Sequence, residues 1–407
     1  MATREPARRE PAGRADAAGP EPASRADAAG GPRMHDVAIV GAGAVGLLLG
    51  CLLAKRGLDV VVLERRTEPA GRTRAIGIHP PGLRALDAAG VGDEVRARAV
   101  AIRGGRVTCD GRVLGALEFR RTGAVRSLPQ RETEALLEAR LRESPSAELR
   151  RGVEVRGVHD RGTHVDLDAT TAEGPVTVAA RYAVGADGVR SGIRELIDAG
   201  WLPRRGRAHY VMCDTRDDTG EPDVALLHFE RAGVVESFPL PGGERRWVAW
   251  VRRPLESPTA ESLATIVATR TGGTFDTDAA GAPTAFEARQ HLVRRMAVGR
   301  VALVGDAAHE VSPIGGQGMN LGWLDAVQLD RELAHAFAAG APFDAFAAYD
   351  QSRRAAASRA IRQAGFNMAM GGPTTGVRLK ARNAAVRVLA VPPFRGVLAS
   401  AFTMRWL

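Results

Sequence analysis

Between positions 35 and 66 the period of apolar and polar residues changes twice. Val37 to Val40 is an apolar run short enough for a buried strand, Ala44 to Arg56 has helical content and is stopped by Gly57, and Asp59 to Leu63 returns to a strand that ends in Glu64. Leu83, Leu86 and an alanine pair then predict a short helix after a Pro-Pro-Gly turn, closed by Gly90. Leu136, Leu137 and Leu141 mark one face of a helix over 127–141, and residues 181–197 read as strand, Gly-Ala-Asp-Gly turn and helix. From 223 to 253 the period drops to two around a Pro-Gly-Gly turn, which predicts antiparallel strands. Residues 301–304 are another buried-strand run, followed by Asp306 and a glycine-rich segment to 322. The last stretch, 351–407, is an Ala- and Arg-rich helical pattern broken at Gly371-Gly372-Pro373 and Pro392-Pro393, expected to cover the domain that the first strands build.

The opening strand, turn, helix and strand carry Gly41-x-Gly43-x-x-Gly46 in the context a dinucleotide fingerprint requires. Gly41 allows the tight turn, Gly43 lets backbone approach a pyrophosphate, and Gly46 lets helix pack on strand. The helix start at Ala44 and Val45 offers N–H groups to the anion. Glu64, with Arg65 after it, is placed to accept the hydroxyls of an adenosine ribose. The unit leaves FAD and NAD both open. Asp187, in the 181–197 turn, alone reads as a ligand group or as part of a well-capped helix start, but Gly305-Asp306 repeats its arrangement at another strand end. Three such sites in one chain point to three pieces of one large cofactor. Arg74 reads as a surface charge or an anion clamp, and Gln130 as a helix cap or a ligand contact.

Composition narrows the class. A chain of 407 residues, 45% hydrophobic and 25% charged, holds two or three domains with a sizeable core. The net charge of +9 comes from arginines spread end to end, since lysine occurs only at Lys55 and Lys380; with 5% aromatics and no aromatic-interleaved basic stretch, nucleic acid is not an expected partner. Cys51, Cys109 and Cys213 are isolated, which argues against a zinc site and for a reducing, cytoplasmic location. The longest apolar run, Val45 to Ala54, is too short to span a bilayer, so no transmembrane segment is expected. Residues 1–33 contain no Val, Leu, Ile or Phe and repeat RADAAG; they predict a disordered tail, neither secretory signal nor transit peptide.

With these motifs in this order, the chain from about Met34 to Tyr349 resembles the FAD-dependent aromatic hydroxylases, the group A flavoprotein monooxygenases. Gly41, Gly43, Gly46 and Glu64 match the family's dinucleotide loop and ribose acid, GADGVRSGIR its Asp-Gly motif with Asp187, Ser191 and Arg194, and VALVGDAAH…P…GQGMNLG its Gly-Asp motif. The resemblance implies an α/β fold: a Rossmann-like FAD-binding domain, an inserted mainly antiparallel β-sheet substrate domain, and C-terminal helices. The FAD-binding parts would be 34–105, 130–205 and 290–350, with substrate-domain strands at 106–129 and 206–289 and a helical segment at 351–407.

The resemblance further implies noncovalent FAD held by Gly41, Gly43, Ala44, Val45, Gly46, Glu64, Arg65, Arg74, Gln130, Asp187, Gly305, Asp306, Pro313, Gly316, Gly318, Met319 and Asn320. Asp306 would bind the ribityl chain, the turn Pro313 to Gly318 would lie against the isoalloxazine ring, and Pro313 would shape the oxygen site as the catalytic candidate. NAD(P)H would reduce the flavin, O2 would add at C4a, and the hydroperoxide would hydroxylate or epoxidise an electron-rich aromatic, quinol or polyketide-like small molecule. The sheet would roof the flavin, with Tyr210, His228, Phe238 and Trp250 as substrate-pocket candidates. No catalytic base is assigned, and a monomer or homodimer is expected. A flavin-dependent halogenase is a poor rival because WVAWVRRP does not match its motif and neither lysine is suitably placed. A non-oxygenating dehydrogenase or reductase, or a silent FAD-binding protein, uses the same FAD contacts and stays open.

Overall fold

Parallel strands Val301–Leu303, Gly174–Gly185, Met34–Val40, Val60–Glu64 and Ala147–Arg151 lie side by side in that order in a computed structural model of the chain. The model describes residues 1, 33–69, 71, 75–119, 123–339, 346–392, 394, 396 and 404. Arg74 and nearly all of the 1–33 tail lie outside the described residues. Strands Glu154–Asp160 and Val165–Thr171 extend this sheet by antiparallel pairing onto Gly174–Gly185. Val60–Glu64 is buried at every position, which is why it reads as a continuous apolar run: helices and loops cover both faces.

The helices among the described residues are α1 (Ala44–Lys55), α2 (Pro80–Ala89), α3 (Gly92–Arg98), α4 (Gln130–Arg142), α5 (Gly192–Leu196), α6 (Ala260–Thr271), α7 (Gln317–Ala339), α8 (Ala347–Gly371) and α9 (Gly376–Leu389). Helix α1 buries ten of its twelve residues. It is apolar all round because the sheet, α4 and α7 enclose it. The Pro-Pro-Gly segment is not a turn ahead of α2 but its first turn, where proline's fixed φ and missing N–H do no harm.

A second sheet has seven strands in the order Thr284–Ala288, Ala208–Arg216, Glu244–Val251, Val235–Leu240, Val224–His228, Gly104–Cys109 and Arg112–Glu118. Its pairings are antiparallel except Val224–His228 with Gly104–Cys109. Helix α6 packs on one face through Leu263 and Val267. The C-terminal helices divide their work, contrary to the expectation that all would cover the first domain. Helix α8 packs on α7, whereas α9 joins Leu379 and Val386 to Leu114, Leu117 and Phe119 of the seven-stranded sheet. Among the described residues no helix is long and apolar enough to cross a membrane.

Candidate active site

The three turns singled out by their strand-end glycines and acids follow three adjacent strands of the parallel sheet, Met34–Val40, Gly174–Gly185 and Val301–Leu303. Carboxyl ends of such strands are where α/β sheets bind ligands. The turns press together: Gly41 has φ +111°, and a methyl there would lie 2.4 Å from the Ala186 carbonyl oxygen. At Gly46 a methyl would lie 2.0 Å from the Gly41 oxygen. A cavity of about 1200 Å³ opens between these turns and the seven-stranded sheet.

On the turn side, Gly41, Gly43, Ala44, Val45, Glu64, Arg65, Gln130, Asp187, Asp306, Pro313, Gly316, Gly318 and Met319 all line the cavity. Three expected contacts do not. Gly46 and Gly305 close packed joints, Gly305 against Val45. Asn320 is fully buried and spends its side chain inside the protein: Oδ1 accepts the His79 N–H at 2.8 Å, and Nδ2 donates to the carbonyls of Gly77 and Gly316, each at 2.9 Å. It braces the glycine turn. His79 does the same from the other side through Nε2 and the Gly315 carbonyl at 3.0 Å. Burial pushes His79 down to about 4, so it is neutral.

Glu64 accepts the Ala42 N–H at 2.9 Å and two bonds from Arg66. Burial works to raise its carboxyl, but those bonds outweigh it and leave it below the ordinary value. Glu134 lines the same end and accepts the Ala44 N–H at 3.0 Å and the Gln130 amide at 2.8 Å. The sequence reading missed it, although it sits one turn after Gln130 and so on the same helix face. Ser191 is the N-cap residue of α5, its Oγ accepting the Arg194 N–H at 2.9 Å, and Asp187 also serves the helix start, its Oδ2 accepting the Ile193 N–H at 3.2 Å. Burial raises the Asp187 carboxyl, and its Oδ1 has no partner. Asp306 is exposed to the cavity.

On the sheet side, Met212, Val248, Glu236, Leu227, Val107 and Gly115 form one cross-strand row that faces the cavity. The next row presents Arg246, Phe238, Ala225, Gly105 and Leu117. Of the predicted pocket residues only Phe238 lines the cavity. Tyr210 and Trp250 share its face but stand in a row covered by Ile314 and Met368. His228 is on the opposite face, where Nδ1 meets the Thr108 hydroxyl at 2.8 Å and the ring stacks on Trp247.

These features fit FAD: Gly41, Gly43 and the start of α1 line the cavity beside Glu64, Asp187 and Asp306 on their strand-end turns, and Asp187 Oδ1 is a buried acceptor left without a donor. A family model described as an FAD binding domain matches residues 34–364. The chain belongs to the FAD-dependent aromatic hydroxylase family. It is 33% identical over 344 residues to a 12-dehydrotetracycline 5-monooxygenase/anhydrotetracycline 6-monooxygenase of Streptomyces rimosus, covering 81% of this chain and 68% of the relative. It is 30% identical over 340 residues to a rifampicin monooxygenase of Streptomyces venezuelae, covering 81% and 70%. The solved p-nitrophenol 4-monooxygenase of Pseudomonas putida shares the fold, with a TM-score of 0.84 at 22% identity over 91% of this chain and 98% of that one.

In this hydroxylase the buried acid of the substrate-side wall was legible in principle. Glu236 stands two residues before Phe238, and strand alternation puts both on one face.

Proposed function

We propose that this FAD-dependent monooxygenase inserts one oxygen atom, by hydroxylation or epoxidation, into a flat, hydroxylated aromatic or polyketide-like small molecule, using NAD(P)H and O2. The observation that carries the reading is the cavity itself, cofactor turns on one wall and an almost wholly apolar sheet face on the other. Relatives named for tetracycline and rifampicin chemistry support a large, ring-containing substrate. FAD, when bound, supplies the capacity to take hydride from a nicotinamide and to activate oxygen.

The chain's own residues then bind, orient and exclude water. Gly41, Gly43 and the start of α1 receive the pyrophosphate, Glu64 the adenosine ribose, and Asp187 and Asp306 the remaining polar length. The turn Pro313 to Gly318 would hold the flavin end of the cofactor, and Pro313 would help shape the oxygen site. Leu227, Phe238 and Val248 keep that region dry, which protects reactive oxygen species from loss to solvent. Residues 34–105, 130–205 and 290–350 serve as cofactor parts, and 106–129 with 206–289 as the substrate part. Three buried, unpaired cysteines support a reducing, cytoplasmic setting.

Purified protein is expected to carry noncovalent FAD, to be reduced anaerobically by NADH or NADPH, and to place one atom of labelled O2 in product when offered a panel of phenols, quinols and polycyclic polyketides. FMN in place of FAD, or product formed without labelled oxygen, overturns the reading.

A further inference from the structure

Glu236 is the one acid of the cavity-facing row, and nothing in the fold accounts for it. It is 5% exposed, and among the described residues its carboxyl has no hydrogen-bond or ion-pair partner. Leu227 and Val248 flank it on the two neighbouring strands, with Met212 one strand further on, and all three line the cavity with it. Buried polar groups are normally satisfied, and one left open toward a cavity marks a position that a ligand completes.

The charged and titratable groups on the packed elements do not neutralise it. On the strand Glu244–Val251, Arg246 is closed bidentate on Asp214 at 2.6 and 2.8 Å. Tyr210, on the strand beyond, is buried with its hydroxyl unpartnered. His228 on Val224–His228 faces away, as does α6 with Glu261 and Arg270. Val125–Ser127 contributes Arg126, whose charge plays no part in the Glu236 shift, and Val100–Ile102 contributes no titratable group. Burial alone pushes the Glu236 carboxyl up, to about 7, where it exchanges a proton near neutrality.

We propose that Glu236 is the substrate-binding base of this enzyme: its carboxylate accepts the hydrogen bond of a phenolic or enolic hydroxyl on an otherwise apolar substrate and takes that proton. The substrate O–H bond breaks, its electron pair stays on the substrate oxygen, and the proton moves to the Glu236 carboxyl. The electron-rich oxyanion pushes density into the ring, which is what an acceptor of an electrophilic oxygen atom requires. The wall thus selects a neutral, flat body with one ionisable hydroxyl. This inference rests on the oxygenase reading above.

The probes are naphthol, its methyl ether, which has no proton to give, and naphthylmethylamine, which brings a cation. Each is titrated into FAD-loaded full-length protein across neutral pH, and binding is followed by the flavin spectrum. Wild type should prefer naphthol over the ether by roughly tenfold to a hundredfold above about pH 7, and the preference should fade below it, where the Glu236 carboxyl already holds a proton. Glu236→Gln should lose both the preference and its pH dependence. Equal affinity for naphthol and ether in wild type, no binding of either included, overturns the proposal, as does a preference retained by the Gln variant or tighter binding of the amine. Glu236→Leu separates function from folding: it should melt no lower than wild type, and a lower melting temperature overturns the proposal in favour of a structural acid. The oxygenase reading is tested apart from this, on wild-type protein, by FAD content and labelled-oxygen incorporation.

Discussion

A carboxylate at the end of a three-residue strand does little for the core. Val301, Ala302 and Leu303 are buried whatever follows them, whereas Asp306 is exposed to the cavity. Asp306→Ala should therefore keep the fold and lose charge-assisted bonds to the ribityl hydroxyls, weakening FAD by roughly tenfold to a hundredfold. Titration of apo-protein with FAD measures this, and affinity within about twofold of wild type would show that Asp306 serves only its own turn. The residue scale is also where sequence served unevenly. Asp306, Glu64 and Gly41 were legible because fixed spacing ties them to a strand end. Tyr210, His228 and Trp250 were misplaced because alternation gives the parity within a strand, while register between strands and the reach of a covering helix decide which row faces the cavity. Glu236 was not singled out for the same reason, since alternation does not say which face of its strand meets the cavity.

At the scale of elements, α7 carries the design. Asn320 braces the glycine turn, the Trp323 indole donates to the Ala44 carbonyl at 3.0 Å, and Asp330 accepts two bonds from Arg56. Asp325, fully buried, accepts from the Gly305 N–H at 3.1 Å, His309 Nε2 at 2.5 Å and Arg353 Nε at 2.7 Å. Burial alone would raise its carboxyl, but the charges of His309 and Arg353 outweigh that and hold it low. Asp325→Ala strands both partners and should cost about 3 to 5 kcal/mol, with the Asp306 turn loosened in consequence. Urea unfolding followed by fluorescence checks the size, and an unchanged midpoint would show that the network does not hold this turn. Helices α1, α2, α4 and α5 were legible from their apolar periods and breakers, whereas α3 and α6 drew no reading, their apolar positions being few. What α9 rests on was not, since Leu379 and Val386 declare an apolar face without naming its partner.

For the whole molecule, the acid that serves the substrate works against the fold. Glu236 titrates near 4.5 when exposed and at about 7 when folded. The folded state thus holds the proton more tightly, so stability falls as pH rises between those values and levels off above them. The full loss is on the order of 3 kcal/mol, at 1.36 kcal/mol per pH unit. Glu236→Gln removes the titration, so its stability advantage over wild type should grow from pH 4.5 to 7 and then stay constant. Melting curves across that range test it, and an advantage that shrinks with pH would mean the carboxyl is stabilised as the anion. The architecture was legible at this scale through the family resemblance that the ordered motifs carry, while the cavity wall was not, since it is assembled from segments more than a hundred residues apart.

One such long-range joint is the meeting of Gly115 with Ala390, where a methyl on the glycine would lie 2.4 Å from the alanine Cβ. Val386, Leu389 and Ala390 complete the cavity from the end of α9, and none of them belongs to a cofactor turn. Bulk added or removed at Val386, Leu389 or Ala390 would therefore redraw the chamber's outline without touching a cofactor turn, a tailoring point set apart from the redox half.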